Sequence, residues 1–360
     1  MKKWLRKIKL HKSRKGNILL AVGVALSLAG AVLFALSESG TQVLKDQQAA
    51  ARWEGKDMKY AQVSAFFSPT KDMQPVNMAD IQTGILSKLS ADGYLGEGRG
   101  ADMLLQAYNG EASVSIRKDT STLQVTAMGV GGDFFMLHPM ELLAGSYFAE
   151  DDLNRDRIVL DENVAWNLFG SNDIAGMTIW INNNVYDVAG VVAAPEDEAE
   201  ANAYGNYGRI YLPYESLKVH QEKLGICCYE AVIPDPISNY GYNTLLSACG
   251  MSQEEQAEGK KNNPLSFGDC EIIENTGRFS AWNLFSLLRN RKYRTMQTTS
   301  IVYPYWENLA RITEDKKMNA LIWNTAVLAA GIIALLAGLT AYVLANSHRE
   351  RDVEGFGRKT

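Results

Sequence analysis

Apolar residues gather into two blocks near the two ends of the chain, Ile18 to Leu36 and Ala320 to Ala345, with residues 37–319 of mixed polarity between them. The first block is free of charge and, at about 1.5 Å per residue, measures roughly 29 Å as a helix, close to the roughly 30 Å hydrocarbon layer of a bilayer. The second has Asn324 and Thr325 as its polar interruptions and is long enough to cross with tilt. The pattern predicts membrane helices over 18–37 and 320–346. A cleavable leader is the competing reading of the first block, since a basic start and the end Ala35-Leu36-Ser37 suit one. Against it, the apolar run exceeds the roughly 7–15 residues of a leader core.

Helix formers without Pro or Gly fill Thr41 to Trp53 (Leu44, Lys45, Gln47, Gln48, Ala49, Ala50, Ala51, Arg52), which predicts a stalk helix over 38–53 continuing out of the first span. Its mirror is 305–319, where Trp306, Leu309 and Ile312 mark an apolar stripe that meets no helix breaker before the second span. Between the stalks, period-two alternation predicts strands at Tyr60–Phe67, Ala112–Ile116, Leu123–Val130, Arg157–Leu160, Thr178–Ile181, Tyr186–Val192, Arg209–Leu212 and Tyr229–Ile233. Helices are predicted at Asn77–Ser90, at Asn163–Phe169 with Asp161 or Asn163 as cap and Gly170 as terminator, and at Tyr242–Ala248. Asn182-Asn183-Asn184 reads as a hairpin turn, and Glu196 to Glu200 with Tyr204 to Gly208 as a solvated connection. The fold class is α+β.

Charge orients this plan. Lys2, Lys3, Arg6, Lys7, Lys9, Lys12, Arg14 and Lys15 precede the first span without an acidic residue, and Arg349, Arg351, Arg358 and Lys359 follow the second. Both termini are therefore expected in the cytoplasm, as a 1–17 arm and a 347–360 tail, with the middle outside. Removing those 12 basic residues from 36, and Glu350, Asp352 and Glu354 from 41 acidic ones, leaves 24 against 38, a net −14 for the outer region. Such a surface does not suit a binder of nucleic acid or anionic lipid, and no nucleic-acid partner is expected. The bilayer itself is the expected surrounding.

An ordered set of phrases runs from Val125 to Leu217: Gly129-Val130 with Asp133-Phe134-Phe135, Leu143-Ala144-Gly145-Ser146-Tyr147-Phe148 with Asp151-Asp152, and Ile158-Val159-Leu160-Asp161-Glu162-Asn163. Ala165, Leu168-Phe169-Gly170, Gly176-Met177-Thr178-Ile179, Tyr186-Asp187-Val188-Ala189-Gly190-Val191-Val192 and Ile210-Tyr211-Leu212-Pro213 complete it. In this order they resemble the extracytoplasmic core domain of MacB-like ABC transporter permeases, in the wider group that includes FtsX and the lipoprotein-releasing permeases. The resemblance implies a mixed α/β portion from 54–124 and 214–304, with a small β-rich portion, 125–213, inserted into it. Tyr303-Pro304-Tyr305-Trp306-Glu307 is similar to the approach to the second membrane helix in such permeases. It also implies a separate ATPase that moves the membrane helices, so that the stalks change the grip of the outer domain. Family members continue into two further spans, whereas this chain stops 15 residues after Ala345. Those spans are expected from a further permease subunit or a second copy of the chain.

Chemistry is sparse. No G-x-x-x-x-G-K-[ST] phosphate loop occurs, so ATP hydrolysis is expected on another chain. His138 and His220 lie 82 residues apart with no H-E-x-x-H or C-x-x-C companion, and the acidic loop lacks the alternating oxygens of a calcium site. No catalytic residue, metal or cofactor is expected. Cys227, Cys228, Cys249 and Cys270 all fall in the outer region as disulfide candidates with three possible connectivities, or as reduced buried thiols. Four-residue spacings, Ala21, Ala25 and Ala29 in the first span and Ala330, Ala334 and Gly338 in the second, nominate helix-packing faces. The reading that competes with an ABC permease subunit is a membrane-tethered binding or sensing module.

Overall fold

The computed structural model describes residues 14–39, 44–53, 58–94, 104–149, 152, 155–195, 198–205, 207–251, 269–289 and 300–356. The basic arm from Lys2 to Lys12, the loop acids Glu196 and Asp197, residues 40–43 of the first stalk, and Arg358 and Lys359 of the tail lie outside the described residues. In chain order the elements are α1 (Arg14–Ser39), a 3₁₀ turn (Lys45–Gln47), α2 (Ala49–Trp53), β1 (Tyr60–Phe67), α3 (Pro75–Ala91), β2 (Leu105–Lys118), β3 (Ser121–Gly132), α4 (Phe134–Leu137), β4 (Leu142–Gly145) and β5 (Arg157–Asp161). They continue with α5 (Glu162–Phe169), β6 (Thr178–Ile181), β7 (Asn184–Val192), α6 (Glu198–Tyr204), β8 (Arg209–Pro213), α7 (Tyr214–His220), β9 (Cys228–Pro234), α8 (Tyr240–Ala248), β10 (Cys270–Glu274), α9 (Ala281–Arg289) and α10 (Tyr305–Phe356). Two compact units result, residues 42–278 with 286–313, and residues 1–41 with 279–285 and 314–360.

The first unit is built on one sheet in the order β10-β1-β9-β2-β3-β8-β5-β7-β4. β6 pairs with both β7 and the far end of β2, so β2, β3, β8, β5, β7 and β6 close into a ring. Within the ring no strand is left with an unpaired side, and β10 and β4 remain the edges of the sheet. The β2–β3 hairpin is longer than the alternation alone suggests, pairing from Ala107↔Gly132 to Lys118↔Ser121, with Asp119 at φ 51° in its turn. Its length lets one end of β2 pair with β9 and the other with β6.

Local signals explain the helices. Asp161 caps α5 by accepting from the Val164 amide at 2.8 Å, and Gly170 ends it at φ 70°. Gln74 caps α3, with Asn77 reciprocating from the third position. Tyr204, expected in a solvated connection, is buried instead at the end of α6. Alternating residues of β1 split between two cores: Ala61, Val63, Ala65 and Phe67 pack with Ile81, Ile85 and Leu89 of α3, in a cluster that continues into the ring through Ile116, Val125, Ile158 and Ile181. Phe66 faces the other way, into a cluster with Met128, Phe134, Tyr211, Val232, Tyr305 and Trp306. Each such large side chain contributes roughly 1.5–3 kcal/mol by leaving water.

The first stalk departs from its predicted form. It is no continuous helix through Trp53 but a 3₁₀ turn, a non-helical Gln48 and the short α2. The cause is Gln62 of β1, whose side-chain oxygen accepts from the Ala49 amide at 2.8 Å while its nitrogen donates to Asp46 O at 2.6 Å. These bonds take backbone groups that a continuous helix would use itself.

In the second unit, α1 and the part of α10 from Glu314 onward run antiparallel, and 15–36 and 305–345 are long and apolar enough to cross a membrane. Glycine sets their approach. A Cβ on Gly23 would lie 2.7 Å from Leu335 N, one on Gly331 2.6 Å from Ser27 N, and one on Gly338 2.8 Å from Leu20 Cγ. Asn324 donates to Leu33 O at 3.2 Å. The packed face of α1 is thus the seven-residue series Gly16, Gly23 and Gly30, all buried, whereas Ala21, Ala25 and Ala29 are exposed. On α10, Gly338 is buried, Ala334 half-buried and Ala330 exposed. The predicted alanine faces are corrected accordingly: bare backbone, not a methyl group, fits this contact.

Candidate functional site

Beneath the second face of the sheet, polar side chains form one buried chain of contacts. β1 contributes Gln62 and Ser64, β9 contributes Glu230, and β10 contributes Glu271, all on the face opposite α3 by strand alternation. Ser64 stands directly across from Glu230 and donates to its Oε1 at 2.7 Å. His138, immediately after α4, fills the space above them, with no exposed surface. Its Nε2 meets Glu230 Oε2 at 2.6 Å and its Nδ1 meets Asp46 Oδ1 at 3.0 Å. Trp306 covers the imidazole, centroid to centroid 4.1 Å.

The chain of contacts continues. Asn275 donates to Ser64 Oγ at 2.7 Å and receives Arg278 Nη1 at 3.2 Å. Arg278 grips Glu307 with two parallel bonds of 2.6 and 2.8 Å. Arg311 Nε adds a third bond to Glu307 at 2.6 Å, and its Nη2 reaches Glu271 Oε2 at 2.8 Å. From Asp46 to Glu271 the charged groups alternate in sign, so His138, Glu230, Arg278 and Glu307, the most deeply buried, each lie beside an opposite charge or, through Ser64 and Asn275, near one. On the ring side, Arg209 lies 4.8 Å from the ring centroids of both Tyr204 and Tyr305, with Glu111 at 3.4 Å. The segment Tyr303 to Arg311, the approach to and first turns of α10, is therefore held from two sides.

The electrostatics follow from burial and partners. Burial alone would depress the His138 pKa, but the Glu230 and Asp46 carboxylates push it up to about 9, so the imidazole is cationic at neutral pH. Burial would raise Glu307, yet Arg278 and Arg311 hold its carboxyl below the ordinary range. Both ring nitrogens of His138 are already engaged by carboxylates on opposite sides, which is the geometry of an ion-pair relay, with neither nitrogen left to ligate a metal. Among the described residues, no group of three or more His, Cys, Asp or Glu side chains is arranged to hold a metal ion. The arrangement fastens one segment to another.

Sequence reasoning set His138 aside for want of a catalytic companion and did not connect Glu230, Arg278 or Glu271 to it. Only Tyr303 to Glu307 carried a signal, as a phrase similar to permeases. His220, the other outer histidine, bonds Tyr186 OH at 2.7 Å and Asn182 at 3.1 Å away from the ladder. The four cysteines are free thiols. Cys227 and Cys228 belong to the face of the ladder, where burial pushes both thiols up, and Cys249 and Cys270 lie together on the other face.

Comparison with known proteins bears on this architecture. The family described as MacB-like periplasmic core domain matches residues 18–235. The chain belongs to that family. Its MacB-like domain is similar to the macrolide export ATP-binding/permease protein MacB of Chromobacterium violaceum, 32% identical over 103 residues, which cover 28% of this chain and 15% of the relative. MacB 2 of Aeromonas hydrophila is 30% identical over 153 residues, 41% of this chain and 22% of the relative. The matched stretch thus spans less than a quarter of either relative. Among solved structures, the periplasmic region of MacB from Actinobacillus actinomycetemcomitans aligns with TM-score 0.42 at 17% identity, over 67% of this chain and 96% of that one.

Proposed function

We propose that this protein is a two-span permease-like or accessory subunit of an ABC-type transporter or mechanotransmission assembly, driven by an ATPase on a separate chain. Membership of the MacB-like family supports the class, and the observation that carries the mechanical reading is the buried ladder from Asp46 to Arg311. The ladder fastens both connecting segments to the sheet, which supports a mechanical role. In the proposed cycle, closure of the partner ATPase displaces the membrane helices, and the ladder passes the movement from Glu307 and Arg311 into β10, β1 and β9. The chain contributes no catalytic residue of its own. Further membrane helices come from another permease subunit or a second copy.

The proposed topology places both termini in the cytoplasm of a cell-membrane protein, in keeping with the antiparallel helix pair and the basic flanks. Thiol labelling of intact cells is expected to reach Glu198→Cys and not Ser13→Cys. Purification from the native host in mild detergent tests the function: a phosphate-loop ATPase is expected to accompany the chain, directly or through another membrane subunit. Recovery of the chain alone, with an unchanged phenotype when neighbouring ATPase genes are deleted, would favour the tethered binding module.

A further inference from the structure

The four cysteines are not equivalent. Cys249 follows the last residue of α8, its amide bonded to Leu245 O at 2.9 Å, and Cys270 opens β10 opposite Phe67 of β1. α8 lies on β1, β9 and β10, and Cys249 packs against the apolar cluster that contains Cys270. Cys228 pairs with Phe66 on β9, so β1 stands between it and β10. Two strand spacings amount to about 9.5 Å, beyond the roughly 7 Å Cα separation that a disulfide can bridge. Cys227 and Cys228 also face the ladder side of the sheet, away from Cys249. Of the three connectivities, the fold therefore selects a single cross-link.

We propose that Cys249 and Cys270 are a disulfide-forming pair that staples the end of α8 to the edge strand β10. The step needs an oxidant, a disulfide of the glutathione or thiol-oxidoreductase class, available outside the cytoplasmic membrane. Cys249 is the more exposed of the two. Its thiolate attacks the oxidant, displacing one thiolate and forming a mixed disulfide. The Cys270 thiolate then attacks Cys249 Sγ, expelling the second thiolate, and the two protons released by the cysteines are taken up by the two product thiols. Cys270 is placed for the second step, because it belongs to the apolar cluster against which Cys249 packs. The cross-link closes the ring from 249 to 270 and fixes the strand whose next residue, Glu271, ends the charged ladder.

The extracytoplasmic placement supplies only the oxidant, so the cross-link can be tested apart from any transport role. Spheroplasts bearing the full chain are incubated with oxidised glutathione, quenched with an alkylating reagent, and the purified chain is mapped by mass spectrometry without reduction. The expected result is a peptide linking Cys249 to Cys270, with Cys227 and Cys228 alkylated. Reduction should then lower the melting midpoint by about 5 °C, as expected for a ring of this size, with no shift in a Cys249→Ser/Cys270→Ser chain. Four alkylated or singly glutathionylated cysteines, or a linkage through Cys227 or Cys228, would overturn the proposal.

Discussion

His138 Nε2 lies 2.6 Å from Glu230 Oε2 at a point without solvent exposure, and this contact joins the α4 end to the middle of the sheet. The folded value of about 9 lies above the 6.5 of a free imidazole, so the folded state holds this proton more tightly. The stabilisation is complete below about pH 6.5 and is lost as pH rises through about 9; it amounts to on the order of 3 kcal/mol. In detergent, the full chain should lose more stability between pH 7 and pH 10 than His138→Gln does. Parallel pH profiles for the two chains would remove the assigned charge.

Arg278 and Glu307 form the bidentate link of the ladder. Arg278→Met leaves the Glu307 carboxylate buried with one cation fewer and is expected to cost about 3–5 kcal/mol. The double variant Arg278→Met/Glu307→Leu should recover part of that loss, because it removes both charges. Denaturant melts of the four chains of the cycle measure the coupling, and strict additivity would contradict a specific pair.

Gly190 pairs with Gly145 of β4 on one side and with Val159 of β5 on the other, where the β5–β7 register shifts between Ile158 and Val159. A Cβ there would lie 2.6 Å from Ser146 O and 2.9 Å from Ala144 O. Gly190→Leu should therefore depress the melting midpoint by several degrees, in line with an overpacking cost of roughly 1–3 kcal/mol or more, while Glu198→Gln and Glu200→Gln on α6 leave it within error. Equal midpoints for Gly190→Leu and the parent would refute the close approach.

Within the membrane unit, Gly331 meets the backbone of Ser27, whereas Ala25 is exposed. Gly331→Leu should separate the helices and lower the yield of folded chain in micelles, and Ala25→Leu should not. If both behaved alike, the glycine series would not be the packing face.

Strands were legible from their β-branched and aromatic runs, and β1, β5, β6 and β8 lie where those runs put them. The closing of the ring was not, since the β2–β6 contact joins residues far apart in sequence at only Ile116↔Ile181 and Arg117↔Trp180. The ladder was hidden for a more instructive reason. In β1, Gln62 and Ser64 alternate with Val63 and Ala65, which reads as a strand with one wet face, yet both polar residues are fully buried beneath His138 and the 3₁₀ turn. A period of two reveals which residues share a face, and only tertiary structure reveals what covers it. The first stalk failed on the same point, because the partner that breaks it, Gln62, lies 13 residues downstream of Ala49.

In the proposed function, movement of the membrane helices reaches the outer domain through the ladder. Hydrogen–deuterium exchange on the chain in complex with the proposed partner ATPase, with and without ATP, tests this. Nucleotide is expected to change exchange together in 44–53, 228–234 and 303–311, and Arg278→Met/Glu307→Leu to confine the change to 303–311. Active ATP turnover with unaltered exchange in all three segments would contradict it.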